Sequence, residues 1–345
     1  MACQGRGEST IIGKERYTIP GFEHRPGKHC GSTALADVMR YHGHGLSEAM
    51  CFGLGAGLGF IYFEDPHNSP SRAFGSRVPA LEWSFFRNLG LPFDWRAGDG
   101  FPWAEMRTWL DRDTPLLLLT DLYYLPHYGK SAHFPGHGVA LAGYANDVAL
   151  VADTGFPGLM PVPLDDLAAA MDSPLPPIPI HNNWYPVEYF DLPDMGDAIR
   201  RALVSNAQAM LKPPADSMGL PGMRLAVARL PRWNQAENWQ WCARFGYQII
   251  ERRGTGGGGF RLMYADFLDQ ASALLPALIK LDAADRMRQT AALWTALSDQ
   301  LKTISESESP AGFERAAATL ADIAEQEQAF YQDILQMGVF QIPPP

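Results

Sequence analysis

The apolar residues of the chain fall into two regimes. In the first 195 residues they come in short runs of mixed type. Ala34, Leu35, Val38 and Met39 recur at helical spacing directly behind Cys30, which predicts a helix there. Leu116-Leu117-Leu118-Leu119 is a continuous apolar run and predicts a buried strand running on toward Tyr124. Val139 to Tyr144 and Val148 to Ala152 are two more runs, and Asn146-Asp147 between them predicts a hairpin. The Pro-rich stretch from Ser173 to Pro179 is incompatible with regular structure and is read as the start of a linker region. The last third is helical. Met287, Ala291, Trp294, Leu297, Leu301 and Ile304 lie on one stripe, and Phe313, Ala317, Leu320, Ile323, Phe330, Ile334 and Met337 on another. Ser309 followed by Pro310 is a good helix start, so the two stripes are expected to form a helical hairpin. Such stripes serve as domain core or as the seam of a homodimer more often than as a cofactor site.

Composition narrows the class. The 345 residues suggest two domains, and 46% hydrophobic with 19% charged is enough to bury real cores. No internal repeat is visible. The net charge of −10 argues against a general nucleic-acid binder. No window holds 18 uninterrupted apolar residues, so no membrane span is expected. Residues Met1 to Arg6 lead into no apolar signal core, so a cytoplasmic location is expected. The four cysteines, at 3, 30, 51 and 242, form no CxxC pair; free thiols are expected, and a structural zinc is disfavoured. Charge is uneven along the chain. Residues 1–195 carry a net −9, residues 196–262 a net +6, and residues 263–345 a net −7. A basic middle in an acidic chain suggests a local surface for anions.

The candidate chemistry begins at His29-Cys30-Gly31-Ser32-Thr33-Ala34-Leu35. A cysteine at the start of a helix lies at the positive end of the macrodipole, which favours thiolate, and the small residues around it leave room for a substrate. Such a nucleophile needs a base. His137 stands between Gly136 and Gly138 at the mouth of a strand. Sixteen residues on, Asp153 closes the partner strand of the same hairpin. Adjacent strand ends can put Asp153 beside His137, where it would fix the tautomer and orientation of the ring.

His137-Gly138-Val139 through Gly143-Tyr144, then Asp153, resembles the His and Asn/Asp segment of papain-like cysteine enzymes, whose chain order is likewise Cys, His, Asn/Asp. More specifically, the segment from His29 to Leu35, with Leu46-Ser47-Glu48-Ala49-Met50 and Gly53 through Phe60, resembles the N-terminal domain of the butirosin biosynthesis H acyltransferase family. Glu251-Arg252-Arg253-Gly254-Thr255-Gly256-Gly257-Gly258, then Phe260-Arg261 and Tyr264 through Leu268, is similar to the C-terminal domain usually fused to it. The resemblance implies transfer of an acyl group from a carrier-protein thioester to an amine in natural-product biosynthesis. An acyl carrier protein and a small-molecule amine are then the partners, and the carrier's phosphopantetheine arm is the donor group, with no bound cofactor. Papain-like peptidases also keep a Gln a few residues before the cysteine to help hold the oxyanion. Residues 22–29 contain none. His24, His29 or Lys28 stands in that place as a side-chain candidate, beside the backbone N–H of Cys30.

Other signals are weaker. Gly53, Gly55, Gly57 and Gly59 alternate, but Leu58 breaks GxGxxG, so the glycines are read as letting backbone pack close to the Cys30 helix. His42, His44, His24 and His29 lack a completing carboxylate or thiol pattern for a metal. Cys51 has no helix-start signal and is read as core. Asp121, Tyr123, Tyr124 and His127 follow the buried strand and either bind the amine acceptor or finish the sheet. Gly256, Gly257 and Gly258, flanked by Arg252, Arg253 and Arg261, are a candidate cradle for the phosphate of the carrier arm.

The reading is therefore α+β: a papain-like catalytic domain over residues 1–195 and a mainly helical domain over 196–345 that covers the site and receives the carrier. Cys30, His137 and Asp153 are its catalytic set. A cysteine hydrolase with the same three residues and a non-catalytic carrier-binding module are the alternatives.

Overall fold

The computed structural model describes residues 16–337, apart from Val78 and Pro177. Met1 to Arg6, Cys3 among them, lie outside the described residues. The chain is a mixture of helices and antiparallel sheet with a helical C-terminal part. It divides into two compact units that do not follow chain order. One holds residues 16–24 with 96–188, the other residues 25–95 with 189–337.

The first unit is built on an antiparallel sheet of β1 (Arg16–Thr18), β4 (Leu116–Thr120), β5 (His137–Ala145), β6 (Val148–Ala152), β7 (Leu159–Pro163) and β10 (Trp184–Pro186). Its order is β10-β4-β5-β6-β7, and β1 pairs with the Gly143–Ala145 end of β5. The central strands β4 and β5 are apolar runs without alternation because both of their faces are covered: Leu116, Leu117, Leu118 and Val139 to Ala142 are all buried. Helices α4 (Trp103–Leu110) and α5 (Leu164–Met171) pack on β4. A small ribbon of β8 (Asp172–Ser173) and β9 (Ile180–His181) brackets the Pro-rich stretch. That stretch therefore lies inside this unit, which the chain leaves only after Glu188.

The expected hairpin is β5–β6, turned by Asn146 in the left-handed region at φ 51°. The strand expected to run toward Tyr124 stops at Thr120. The Asp121 carboxylate accepts the Tyr123 N–H at 3.2 Å and turns the chain into a 3-10 turn over Leu122–Tyr124. In register, Thr120 lies opposite His137, so the loop after β4 starts where β5 starts.

The second unit is helical, with one ribbon of β2 (Ile61–Glu64) and β3 (Arg72–Gly75). Its helices are α1 (Cys30–Tyr41), α2 (Glu48–Leu54), α3 (Leu81–Asn88), α6 (Met195–Leu211), α7 (Gly219–Arg229), α8 (Trp239–Glu251), α9 (Arg261–Ser272), α10 (Ala277–Lys280), α11 (Ala283–Glu306) and α12 (Phe313–Gln336). Helix α11 packs on α8, α9 and α12, and α12 on α6 and α7. The residues of the α11 stripe, and those of the α12 stripe from Phe313 to Ile334, are buried within this one chain. They form the core of this unit. The α12 helix begins at Phe313 behind Gly312 at φ 107°, not at Ser309-Pro310; the Ser309 carbonyl instead accepts the Ser307 hydroxyl at 2.6 Å in the preceding turn.

Residues 25–95 join the C-terminal helices because α2 is packed on α9. The division differs from one at 195/196 for that reason. Gly53 faces the Phe267 ring of α9, Gly55 faces Leu81 and Gly57 faces Phe52. The alternating glycines thus permit close approach, but to Phe267, Leu81 and Phe52 rather than to α1.

No helix among the described residues is long and apolar enough to cross a membrane.

Candidate functional site

In the first unit, the end of β5 and the residue following β6 meet as the hairpin pattern requires. Asp153 is fully buried. His137 Nε2 donates to its Oδ1 at 2.9 Å. Two further donors come from the loop after β4: the Tyr128 hydroxyl to Oδ1 at 2.9 Å, and His127 Nε2 to Oδ2 at 2.8 Å. Edge-to-face rings close the cage, with Tyr128 against His137 and Phe156 against both His127 and Tyr128. Burial pushes the Asp153 carboxyl up. The charge of His137 and the hydrogen bonds from His127, His137 and Tyr128 overcome this and hold it well below the usual carboxylate range. With Nε2 donating to the carboxylate, His137 is held in its Nε2–H tautomer.

The loop after β4 is only partly what the sequence suggested. His127, read as a contact for an amine, is instead a partner of Asp153. Asp121 is buried and accepts from His133 Nδ1 at 2.9 Å, the Phe134 N–H at 2.8 Å, the Ser173 hydroxyl at 2.8 Å and the Tyr123 N–H at 3.2 Å. Four donors fill the sites of a carboxylate, so Asp121 finishes the sheet and has no capacity left for an ammonium group. Burial raises this carboxyl, but those hydrogen bonds lower it further than burial raises it. Tyr123 stacks on His133 at 4.0 Å, with Tyr124 edge-on to Tyr123. His24 is excluded as an oxyanion donor through Nε2. That N–H lies between two carbonyls, Asp153 O at 3.0 Å and Phe156 O at 2.9 Å, and pins the turn after β6.

Cys30 belongs to the second unit, where it is half-buried as the first residue of α1. His29 is the N-cap: its extended backbone (φ −120°, ψ 132°) turns the chain, and its Nδ1 accepts the Ser32 N–H at 3.3 Å. The same ring places Nε2 4.0 Å from the Cys30 sulfur. It is buried between Phe52 and Phe260, which meet it edge-on.

The segment before Cys30 is clamped by Glu48, the first residue of α2. Its Oε1 accepts the Lys28 N–H at 2.8 Å, the His29 N–H at 2.7 Å, the Thr33 hydroxyl at 3.2 Å and the Ser32 hydroxyl at 3.3 Å. On another side, Glu82 of α3 occupies the space in front of Gly31, where a Cβ would overlap its Oε1. Burial raises the Glu82 carboxyl, its own backbone N–H lowers it, the charge of Cys30 raises it again, and His29 and Arg77 lower it; the balance is upward.

The glycine-rich run lies against this segment: a Cβ at Gly254 would meet the Lys28 carbonyl at 3.0 Å, and one at Gly256 the Lys28 side chain at 2.8 Å. As a phosphate cradle it is compromised. The Gly257 N–H donates to Thr255 Oγ1 and the Gly258 N–H to the Glu251 carboxylate, each at 3.1 Å. Arg261 is fully buried. It pairs with Glu327 at 2.8 and 3.0 Å, donates to the Ser76 and Gly259 carbonyls, and lies over the Trp294 ring. Every face of its guanidinium is engaged in the core, so it offers none to a ligand. Arg252 and Arg253 are exposed at the end of α8, and Arg253 holds Gln248 and the Phe245 ring. Other arginines of the basic segment have local partners: Arg200 with Asp197, Arg201 with the Asn88 carbonyl, and Arg229 with Glu64.

The other thiols among the described residues are poor nucleophile candidates. Cys51 and Cys242 are both buried, and burial pushes the Cys51 thiol far up. His44 donates Nε2 to the Phe190 carbonyl at 2.7 Å.

Sequence reasoning did not assign Tyr128, Glu48 or Glu82 to the site. Tyr128 carries a signal only in retrospect, since pairing of β4 with β5 brings the loop after β4 to His137. Glu48 and Glu82 belong to other helices, and no spacing rule links them to Cys30.

Residues 29–154 match the family described as butirosin biosynthesis protein H, N-terminal, and residues 165–334 match a domain of unknown function (DUF4872). No curated protein matches the chain.

Proposed function

Because residues 29–154 match the butirosin biosynthesis protein H N-terminal family, we propose that the chain is a biosynthetic acyltransferase working through an acyl-cysteine. The observation that supports this most is the buried Asp153 carboxylate receiving His137 Nε2–H, the arrangement a base needs to hold one tautomer and to stabilise its own cation. In this reading the domain is papain-like, and Cys30 is the nucleophile that His137 serves.

The Cys30 thiolate attacks the carbonyl carbon of a carrier-bound thioester. A bond forms from Cys30 sulfur to carbon, the carrier's carbon–sulfur bond breaks, and the leaving thiolate takes a proton from the His137 imidazolium. Thioester exchange is nearly balanced, so little driving force is asked of this half. The amine then attacks the acyl carbon. The new carbon–nitrogen bond replaces the bond to Cys30, and His137 Nδ1 takes the proton released by nitrogen. Asp153 stabilises the resulting imidazolium, and the Cys30 N–H at the start of α1 holds the oxyanion. Arg252 and Arg253 give an acidic carrier protein a basic contact near the nucleophile's segment, while Tyr123 and Tyr124 remain the acceptor-side candidates.

The test is intact-mass analysis after incubation with small acyl thioesters. The expected result is one acyl adduct, mapped to Cys30 and discharged by an added amine to an amide. An adduct discharged only to the free acid would replace transferase by hydrolase. No adduct, or an adduct on another cysteine, would overturn the assignment.

A further inference from the structure

We propose that His29 is a hydrogen-bond donor to the Cys30 sulfur, so that the residue capping the nucleophile's helix also stabilises its thiolate. The inference rests on the reading of Cys30 as nucleophile and adds a second imidazole to its chemistry. The Ser32 backbone N–H can only donate, and it points at His29 Nδ1 at 3.3 Å. The Ser32 hydroxyl lies 3.1 Å from the same nitrogen. Nδ1 is therefore an acceptor, and the ring proton resides on Nε2. Nε2 lies 4.0 Å from the Cys30 sulfur, within the reach of a hydrogen bond to sulfur.

The ring has little freedom to turn away. It is 4% exposed, with Phe52 at 5.7 Å and Phe260 at 5.4 Å, both edge-on, and its backbone N–H is held by Glu48 at 2.7 Å. The N-terminus of α1 favours a thiolate, but at the surface of a helix the macrodipole is a weak and salt-screened effect. A fixed N–H aimed at the sulfur acts at closer range, and it strengthens as negative charge builds there. The charged groups of this unit around the pair are Lys28 on the same segment, Glu48 from α2, Glu82 from α3 and Arg77 before α3, whose guanidinium lies over the Phe260 ring. The two carboxylates oppose a thiolate, which makes a dedicated donor the more necessary.

The experiment follows the rate of Cys30 alkylation by iodoacetamide against pH, read by peptide mass, in the full chain. His29→Ser and His29→Asn both keep an oxygen able to cap Ser32 while removing the ring Nε2–H that lies at the sulfur. The expected result is a rate–pH curve moved to higher pH, with alkylation about tenfold slower near pH 6 and equal to wild type once the thiol is fully ionised. Curves that superimpose on wild type in folded variants would overturn the proposal. Should loss of the ring between Phe52 and Phe260 prevent folding, the ring ¹⁵N shifts of His29 in the wild-type chain decide. A proton on Nε2 supports the donor, and a proton on Nδ1 alone overturns it. Failure of the acyltransferase reading looks different: Cys30→Ala would keep full turnover whatever the His29 curves show.

Discussion

Removing the Glu48 carboxylate should loosen the segment that presents Cys30. In Glu48→Ala, two backbone N–H groups lose a charged acceptor, His29 at 2.7 Å and Lys28 at 2.8 Å. The Lys28 bond is exposed, so water replaces much of it, while the His29 bond is part-buried. A hydrogen bond to a charged group contributes ~1.5–3 kcal/mol, and water recovers most of an exposed one, so the pair suggests a loss of about 2–4 kcal/mol. For a unit of this size, ~1 kcal/mol moves Tm by about 2–4 °C, which gives a fall of roughly 4–16 °C. Glu48→Gln keeps an acceptor oxygen but not its charge and should cost about half as much. Glu48 also opens α2 behind the Ser47 cap, where an acidic residue contributes ~0.3–1 kcal/mol, so the expected effect exceeds the helix-dipole share. Thermal unfolding by circular dichroism measures the stability, and iodoacetamide alkylation of Cys30 measures the nucleophile. A Glu48→Ala variant within about 2 °C of wild type, or one that is destabilised but alkylates Cys30 with an unchanged rate, would refute the clamp.

Three further outcomes are expected. Cys30→Ala should abolish turnover of an acyl thioester while Cys242→Ala retains it, and equal loss in both at unchanged folding would misplace the nucleophile. The Asp153 carboxyl is held below its unfolded value of ~3.9, so its stabilisation is present above that pH and is lost as pH falls through the folded value; the Tm gap between wild type and Asp153→Asn should be widest near neutrality and shrink in acid, and a gap independent of pH would contradict this. Glu82 has the opposite sign: its raised carboxyl makes the folded chain lose stability as pH rises past the ordinary carboxylate range, so Glu82→Gln should raise Tm at pH 8 and leave it unchanged at pH 4, as a melting series at the two pH values would show.

What could be read from the sequence was the local part of the site. Two strands joined by Asn146-Asp147 must end side by side, so His137 and Asp153 could be paired without a structure. A helix behind Cys30 followed from its apolar spacing, and the α11 and α12 stripes from theirs. What could not be read were interactions made across long chain separations. Glu48 reaches Lys28 and His29 because α2 turns back on α1, and α2 in turn fits α9 because Gly53 leaves room for Phe267. Arg261 illustrates the same limit. Beside glycines and two other arginines it suggested an anion site, yet its partner Glu327 comes from a helix more than sixty residues away. Charge patterning cannot distinguish a surface arginine from one in a buried pair, since both have the same neighbours in sequence.

Asp153 carries two imidazoles, and their surroundings differ. His137 gives Nε2 to Oδ1, which Tyr128 shares, while His127 gives Nε2 to Oδ2. Each ring uses Nε2 on the carboxylate. The second nitrogen of His127 is buried and has no hydrogen-bond partner among the described residues. A proton placed there would be an unpaired buried donor, which costs ~1–3 kcal/mol and more when the ring is charged. Catalysis would require that cost in every turnover. His127 therefore serves best as a fixed donor that, with Tyr128, holds the carboxylate in one orientation. Under the proposed mechanism the proton taken from the amine would then belong on His137, the ring whose charge acts on Asp153 and lowers its carboxyl. A carboxylate with three donors is a weaker base than one with a single donor, so it stabilises the His137 imidazolium without taking its proton.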